Sequence, residues 1–248
     1  MPTRSRYDTA SSQVSSFPDP EDGAAAVRRM FDRIAPRYDL FNDILSAGIH
    51  RRWRRRAVDA LAPRPGRRYL DLCTGTLDLA AATVERAPGA RVVGADFSLP
   101  MLARGAAKLG GETPPAVAGD ALKLPFPDAV FAGCAIAFGL RNLVEPEAGL
   151  AEMHRILEPG GRLVVLEFTT PPGRIFRSVY HLYFHHVLPV AGGMIAGDRL
   201  AARYLPDSVS RFADATSLAT MMREAGFAGV RFGYLTRGIA ALHTGIRT

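Results

Sequence analysis

Two carboxylates, Asp71 and Asp96, each close an apolar run and carry the first chemical signal in this chain. The stretch Tyr69-Leu70-Asp71-Leu72-Cys73-Thr74-Gly75-Thr76-Leu77-Asp78 passes an acid, turns at Gly75 and enters a helical pattern. Val92-Val93-Gly94-Ala95-Asp96-Phe97-Ser98 repeats the apolar run and ends it on another acid. A Rossmann-type half holds a nucleoside this way: backbone at the first turn, and a carboxylate after the second strand to accept the ribose hydroxyls. Dinucleotide phosphates favour a helix N-terminus free of competing negative charge. Asp71 places an acid there, which suits a cationic sulfonium. The residues therefore point to S-adenosylmethionine (S-adenosyl-L-methionine) rather than NAD. Such turns usually carry two or three glycines, and here Leu77 stands where a small residue is common. A side chain at that position is expected to limit how closely the ligand approaches the backbone.

The elements that must position these acids follow from periodicity and punctuation. Residues 1–23 are rich in Ser, Asp and Pro and read as a disordered tail. Residues 24–61 have helical spacing: Val27, Met30, Phe31 and Ile34, a break at Pro36, then Leu40, Ile44 and Leu45, then Trp53, Ala57, Val58 and Leu61. Strands are expected at 68–72, 91–95, 115–118, 129–137 and 162–168, with helices at 78–86, 101–109 and 146–157 between them. Apolar runs without alternation, each followed by a helix, indicate a parallel sheet buried on both faces. The Glu158-Pro159-Gly160-Gly161 run reads as a turn before the last of these strands. A helix near 216–225 precedes strands at 229–234 and 239–244, expected as an antiparallel pair at one edge. Residues 174–205 form an apolar, aromatic insert that, with the N-terminal helices, is expected to cover the strand ends. The fold class is α/β, and residues 24–248 form one domain.

Composition narrows the function. The 248 residues carry a net charge of +7, a pI of about 9.9 and 48% hydrophobic residues, ordinary for a chain with a sizeable core. Five arginines and a tryptophan crowd His50-Arg51-Arg52-Trp53-Arg54-Arg55-Arg56, which reads as a solvated helix face or a reversible contact with an anionic membrane surface. No aromatic-interleaved basic groove argues for nucleic acid. Cys73 and Cys134 lie in apolar runs, and no Cys/His spacing suits a metal. No signal peptide or membrane-spanning run is evident, so the chain reads as cytoplasmic, with peripheral contact at the inner face of the membrane. The oligomeric state is not fixed by these features.

Several segments resemble the ubiquinone/menaquinone biosynthesis C-methyltransferase family. They are Phe31-Asp32-Arg33-Ile34-Ala35-Pro36-Arg37-Tyr38-Asp39-Leu40-Phe41-Asn42 with the following stretch to Trp53, Phe138-Gly139-Leu140-Arg141-Asn142, Glu152–Gly161, Leu166-Glu167-Phe168 and Ala241-Leu242-His243-Thr244-Gly245. The resemblance implies a Rossmann-like methyltransferase fold and S-adenosylmethionine-dependent C-methylation of a prenylated quinol, either a demethylmenaquinol or a polyprenyl-methoxy-benzoquinol. It implies cofactor contacts at Thr76, Asp96, Asp120 and Ala121, to which the turn itself adds Asp71 and Gly75. Arg141 and Asn142 are expected to stabilise phenolate-like charge. Tyr38, Asp39 and His50 are candidates for ordering the quinol or moving its proton. Asp71 as a helix cap, and Tyr38 and Asp39 as staples of the N-terminal helices, are the structural alternatives. Another lipid-like acceptor, such as a phospholipid headgroup amine, and a non-catalytic cofactor-binding role are the functional ones.

Overall fold

The computed structural model describes residues 20–173 and 199–248. Its described strands form one seven-stranded sheet in the order β3-β2-β1-β4-β5-β7-β6. These are β1 (Arg68–Leu72), β2 (Arg91–Asp96), β3 (Ala116–Ala118), β4 (Phe131–Ala137), β5 (Leu157–Phe168), β6 (Phe227–Leu235) and β7 (Ala240–Arg247). The first five run parallel, and β7 is antiparallel to both β5 and β6. The expected edge pair is present.

Both faces of the sheet are apolar because both are covered. Leu70, Leu72, Cys134, Ile136, Leu163 and Val165 point to one face, against Leu150 and Met153 of α6 (Pro146–Ile156) and Leu218 and Met222 of α8 (Ala215–Glu224). The alternate residues Tyr69, Ala135, Val164 and Leu166 point to the other face. There they meet Trp53, Val58 and Leu61 of α3 (Ile49–Leu61) and Leu79 and Ala80 of α4 (Asp78–Arg86). The period of two places Asp71 on the second face, beneath α4.

Two differences from the sequence reading have physical causes. Helix α1 spans Pro20–Ile34, so 20–23 belong to the helix rather than the tail. Pro20 opens it where a missing N–H costs least. The turn at Glu158–Gly161 lies inside β5 as a bulge: Phe131 pairs with Leu157, and the next pair is Gly133 with Arg162. Gly160, at φ +79°, makes that reversal possible. The insert is described only from α7 (Arg199–Arg211) onward, so the aromatic run Val179–His186 lies outside the described residues. Helices α2 (Tyr38–Ser46) and α5 (Leu99–Leu109) complete the frame around the ends of β1 and β2.

Candidate active site

The strand ends of β1, β2 and β4 open into a cavity of about 590 Å³, roofed by α1 and the first residue of α2. That size suits a small organic ligand. Asp96 lies in its wall as the last residue of β2 and is only 6% exposed. Its Oδ2 accepts from the Gly75 amide at 2.9 Å and its Oδ1 from the Ser98 amide at 2.9 Å. These bonds fix the carboxylate and leave its further lone pairs for the cavity. Burial raises the Asp96 pKa, and the amide bonds from Ser98 and Gly75 pull against that rise. A desolvated carboxylate at a cavity wall calls for donors, and a ribose diol supplies two. Phe97, Leu99, Met101 and Ala121 give the same wall an apolar surface for a flat base, and Asp120 stands exposed at its rim. The residues fit an adenosyl ligand.

Asp71 is placed elsewhere. It is buried beneath the turn, accepts from the Thr74 hydroxyl, and accepts from the Ala80 amide at 2.9 Å. It thus caps the N-terminus of α4, and it does not line the cavity. Burial lifts its pKa to about 7 despite those bonds. Thr76 also turns away from the cavity: its hydroxyl donates to Asp39 Oδ1 at 2.7 Å. Gly75, at φ +56°, does line it, and Tyr38 Cε1 lies 3.7 Å from where a Cβ on Gly75 would stand.

Leu77 does not crowd the ligand. Its backbone adopts the left-handed conformation at φ +65°, and its side chain is fully buried under the turn. Space for it comes from two distant glycines. A Cβ on Gly94 would lie 2.6 Å from Leu77 Cδ2, and one on Gly105 would lie 3.0 Å from Leu77 Cδ1. The glycines missing from the turn are compensated in β2 and α5.

The opposite wall carries Cys73, Phe138 and Asn142. Burial, reinforced by Asp96 and Asp71, pushes the Cys73 thiol well up, so it is not a nucleophile beside the ligand. Phe138, the residue after β4, adopts φ +59°, a conformation uncommon for a bulky residue. Its carbonyl accepts from Arg141 Nη1 at 2.5 Å and from Asn142 Nδ2 at 3.2 Å. Its ring packs on Phe168 at 4.5 Å, and Trp53 lies 6.0 Å away. Tyr204 of α7 donates to Asn142 Oδ1 at 2.9 Å, which joins the insert to this wall.

Arg141 is paired behind the wall. Its Nη1 lies 2.8 Å from Glu167 Oε1, its Nε donates to Ser208, and its guanidinium stands 5.3 Å over the Phe168 ring. Both partners are almost fully buried. Tyr38 lines the cavity, and burial raises its phenol above the ordinary value against the pull of Arg54. Asp39 and His50 are engaged outside the cavity wall. Asp39 bonds Thr76 and Lys108. His50 Nδ1 lies 2.5 Å from Ser46 Oγ, and its Nε2 is 3.5 Å from Asp43, so it ties α3 to α2. Burial, aided by Arg54, lowers the His50 pKa to about 4, which leaves it neutral at physiological pH. Among the expected residues the structure therefore gathers Tyr38, Gly75, Asp96, Asp120, Ala121 and Asn142 around one cavity. Glu167 enters the sequence reading only within the Leu166-Glu167-Phe168 segment and without a site role, and Tyr204 and Lys108 do not enter it. Glu167 carries the signal that marked Asp96, an acid closing a buried strand.

Comparison with known proteins identifies the family and the fold. The sequence profile of the ubiE/COQ5 methyltransferase family matches residues 20–247. The demethylmenaquinone methyltransferase of Thermus thermophilus is 54% identical over 88% of this chain and 100% of its own length. The ubiquinone/menaquinone biosynthesis C-methyltransferase UbiE of Paracoccus denitrificans is 44% identical over 91% of this chain and 92% of its own. In fold, the chain is similar to a possible histamine N-methyltransferase of Thermotoga maritima, with a TM-score of 0.64 at 19% identity over 90% of this chain and 100% of that one. It is also similar to a phosphoethanolamine N-methyltransferase of Haemonchus contortus solved with S-adenosylhomocysteine. There the TM-score is 0.56 at 12% identity, over 74% of this chain and 49% of that one.

Proposed function

Because this chain belongs to the ubiE/COQ5 methyltransferase family and is an S-adenosylmethionine-dependent methyltransferase, we propose that its acceptor is a prenylated quinol, demethylmenaquinol foremost. The observation that carries this reading is a single cavity with Asp96 on one wall and Phe138 and Asn142 on the other. One side suits an adenosyl group and the other a flat ring bearing a hydroxyl. The names of the relatives at 54% and 48% identity favour the naphthoquinol over the benzoquinol.

S-Adenosylmethionine supplies an electrophilic methyl group. The acceptor carbon must therefore be electron-rich, so the reduced quinol reacts and the quinone does not. On this reading Asp96 holds the ribose, Gly75 lets the ligand lie against the backbone, and Ala121 and Asp120 border the base. Asn142 stands at the acceptor side: Tyr204 engages its amide oxygen and Phe138 takes one Nδ2 hydrogen, which leaves the other for a quinol oxygen. Arg141, neutralised by Glu167, acts on developing phenolate charge as an oriented dipole rather than as a free cation. It is not a general base, since arginine stays protonated in proteins. Alignment of methyl and ring carbon in this cavity supplies most of the acceleration.

The long apolar tail of such a substrate requires access to lipid. No described helix is long and apolar enough to cross a membrane. Helix α2 exposes Leu40 and Ile44 on one face, and the neighbouring α3 exposes Arg52, Arg55 and Arg56 beside an Arg51 paired with Asp43, which supports docking on an anionic membrane surface. The test of the acceptor compares one demethylmenaquinone held reduced with the same compound held oxidised. Transfer only to the reduced form is the expected result. Equal transfer to both would remove the mechanism, and transfer to neither would remove the acceptor. Binding to anionic vesicles should weaken as salt rises and be absent with neutral lipid; insensitivity to both would remove the membrane contact.

A further inference from the structure

On the far side of the turn from the cavity, partly open to solvent, lies a polar cluster that the chemistry above does not use. Lys108, in the last turn of α5, places its ammonium 2.5 Å from Asp78 Oδ1, 3.3 Å from Asp39 Oδ2 and 3.1 Å from Thr76 Oγ1. Thr76 in turn donates to Asp39 Oδ1 at 2.7 Å, and Arg54 reaches the other Asp78 oxygen at 2.5 Å. Three N–H donors thus meet three oxygens, one each from α2, the turn and the start of α4. The chain holds two lysines against twenty-nine arginines, and one of the two is here. That choice has a geometric reason. An ammonium is a compact tripod, whereas a guanidinium is a planar fork that cannot reach three oxygens converging on one point. Helix α5 also meets the same turn through its backbone: a Cβ on Gly105, one turn before Lys108, would lie 2.8 Å from the Thr76 carbonyl.

The cluster has leverage because of what adjoins it. Asp39 follows Tyr38, whose ring roofs the cavity over Gly75. Tyr38 in turn packs edge-on against Phe31 of α1 at 6.2 Å, and Phe31 packs on Phe97 at 6.3 Å. A second tie holds α1 at the other end, where the Ser98 hydroxyl donates to Asp32 at 2.5 Å. Helices α1 and α2 therefore close the cavity while fastened at Ser98 and at the Lys108 cluster. A ligand that filled the cavity would touch both Tyr38 above and Gly75 below, so it would favour the fastened state, and fastening would favour the ligand equally.

We propose that Lys108 is a positioning residue for cofactor capture, its ammonium pinning helix α2 to the Thr76 turn so that docking of 20–46 and cofactor occupancy are coupled. The inference rests on the cofactor lying beside Gly75. Lys108 touches neither cofactor nor acceptor and acts through Tyr38 and the turn. Its loss lowers affinity for the cofactor and leaves turnover at saturating cofactor nearly intact.

The experiment uses the full chain with Lys108→Met and Lys108→Arg, and S-adenosylhomocysteine as probe. Calorimetric titration should show the Kd raised about twofold to tenfold in both variants, as expected for ties that are partly open to solvent. Amide exchange across 20–46 should quicken in the unliganded variants and slow again on saturation. The KM for S-adenosylmethionine should rise with the Kd while kcat stays within about threefold. Should Lys108→Met fail to fold, Asp39→Asn removes the same tie from the α2 side and is read by titration and exchange. A Kd unchanged in Lys108→Met, with only its melting temperature lowered, would overturn the proposal in favour of a purely structural cluster. Wild-type affinity in Lys108→Arg would overturn the tripod. A wild-type protein that fails to bind S-adenosylhomocysteine would instead overturn the placement of the cofactor, a separate result.

Discussion

Gly94→Ala, Gly105→Ala and Leu77→Ala together test whether two distant glycines substitute for the ones missing from the turn. A methyl on Gly94 would stand 2.6 Å from Leu77 Cδ2 and 2.9 Å from Thr74 Cγ2, all within a buried strand. Overpacking of this kind costs about 1–3 kcal/mol. Leu77 is fully buried, so Leu77→Ala alone should cost about 2–5 kcal/mol. In the double variant Gly94→Ala/Leu77→Ala the new methyl enters space that the leucine vacated. The sum should then fall short of additivity by about 0.5–3 kcal/mol, with the Thr74 contact preventing full recovery. Gly105→Ala behaves differently. Its methyl would meet the Thr76 carbonyl carbon and oxygen at 2.8 Å, and backbone cannot rotate aside. Leu77→Ala should rescue that variant little, and cofactor affinity should fall because the turn itself must move. The assay is urea unfolding of the five variants, read beside titration with S-adenosylhomocysteine. Each kcal/mol corresponds to roughly 2–4 °C in melting temperature at this chain length. Strict additivity at Gly94, or equal rescue at both glycines, would refute the reasoning.

Asp96→Ala should weaken S-adenosylmethionine binding by about 1.5–3 kcal/mol, since the ribose loses a charge-assisted acceptor; unchanged affinity by titration in a folded variant would remove Asp96 from the site. Arg141→Met should destabilise the fold by about 3–5 kcal/mol because Glu167 is left buried and unpaired, and Arg141→Met/Glu167→Met should recover much of that in the same unfolding assay. Asp71 gives a pH signature. Its pKa of about 7 lies above its unfolded value, so the folded state binds the extra proton, and stability falls as pH rises from about 4 to about 7. Melting curves of Asp71→Asn against wild type should diverge across that window in favour of the variant, and parallel curves would refute the buried-acid assignment.

The strands were legible because they are continuous apolar runs between Gly and Pro punctuation, and Asp96 was legible because an acid closing a buried run has few other reasons to be there. Asp71 shows where that logic stops. Its position opposite Leu70 and Leu72 follows from the pleat, but only packing reveals that α4 lies over it and takes its carboxylate as a cap. Arg141 and Asn142 were marked through resemblance, yet their partners were not. Glu167, Ser208 and Tyr204 reach them across 26, 67 and 62 residues of sequence, a distance at which periodicity carries no information. Lys108 is invisible for the same reason. Nothing in its neighbourhood in sequence announces that Asp39 and Asp78 converge on it.

Charge accounting around the turn explains why a sulfonium ligand is favoured over a phosphate, and it yields a final prediction. Five carboxylates crowd the region, but most are already neutralised. Asp39 and Asp78 share Lys108, with Arg54 on the far side of Asp78. Glu167 is matched by Arg141. Asp71 holds its proton up to about pH 7 and spends its acceptors on Thr74 and Ala80. Asp96 alone is both buried and in the cavity wall, and no cation bonds it among the described residues. Arg28 and Asp120 also line the cavity, exposed and of opposite charge, so a cationic ligand gains its attraction from the buried Asp96, where a phosphate would meet repulsion. S-Adenosylmethionine carries the positive charge and S-adenosylhomocysteine lacks it, although both offer the same ribose to the same carboxylate. Asp96→Asn should thus weaken both ligands through the ribose, and should weaken the sulfonium further through the lost charge. The ratio of the two Kd values, measured by titration at low salt, is expected to shift toward S-adenosylhomocysteine in the variant. A ratio equal to that of wild type would show that Asp96 acts on the diol alone, and that the preference for a cation arises elsewhere.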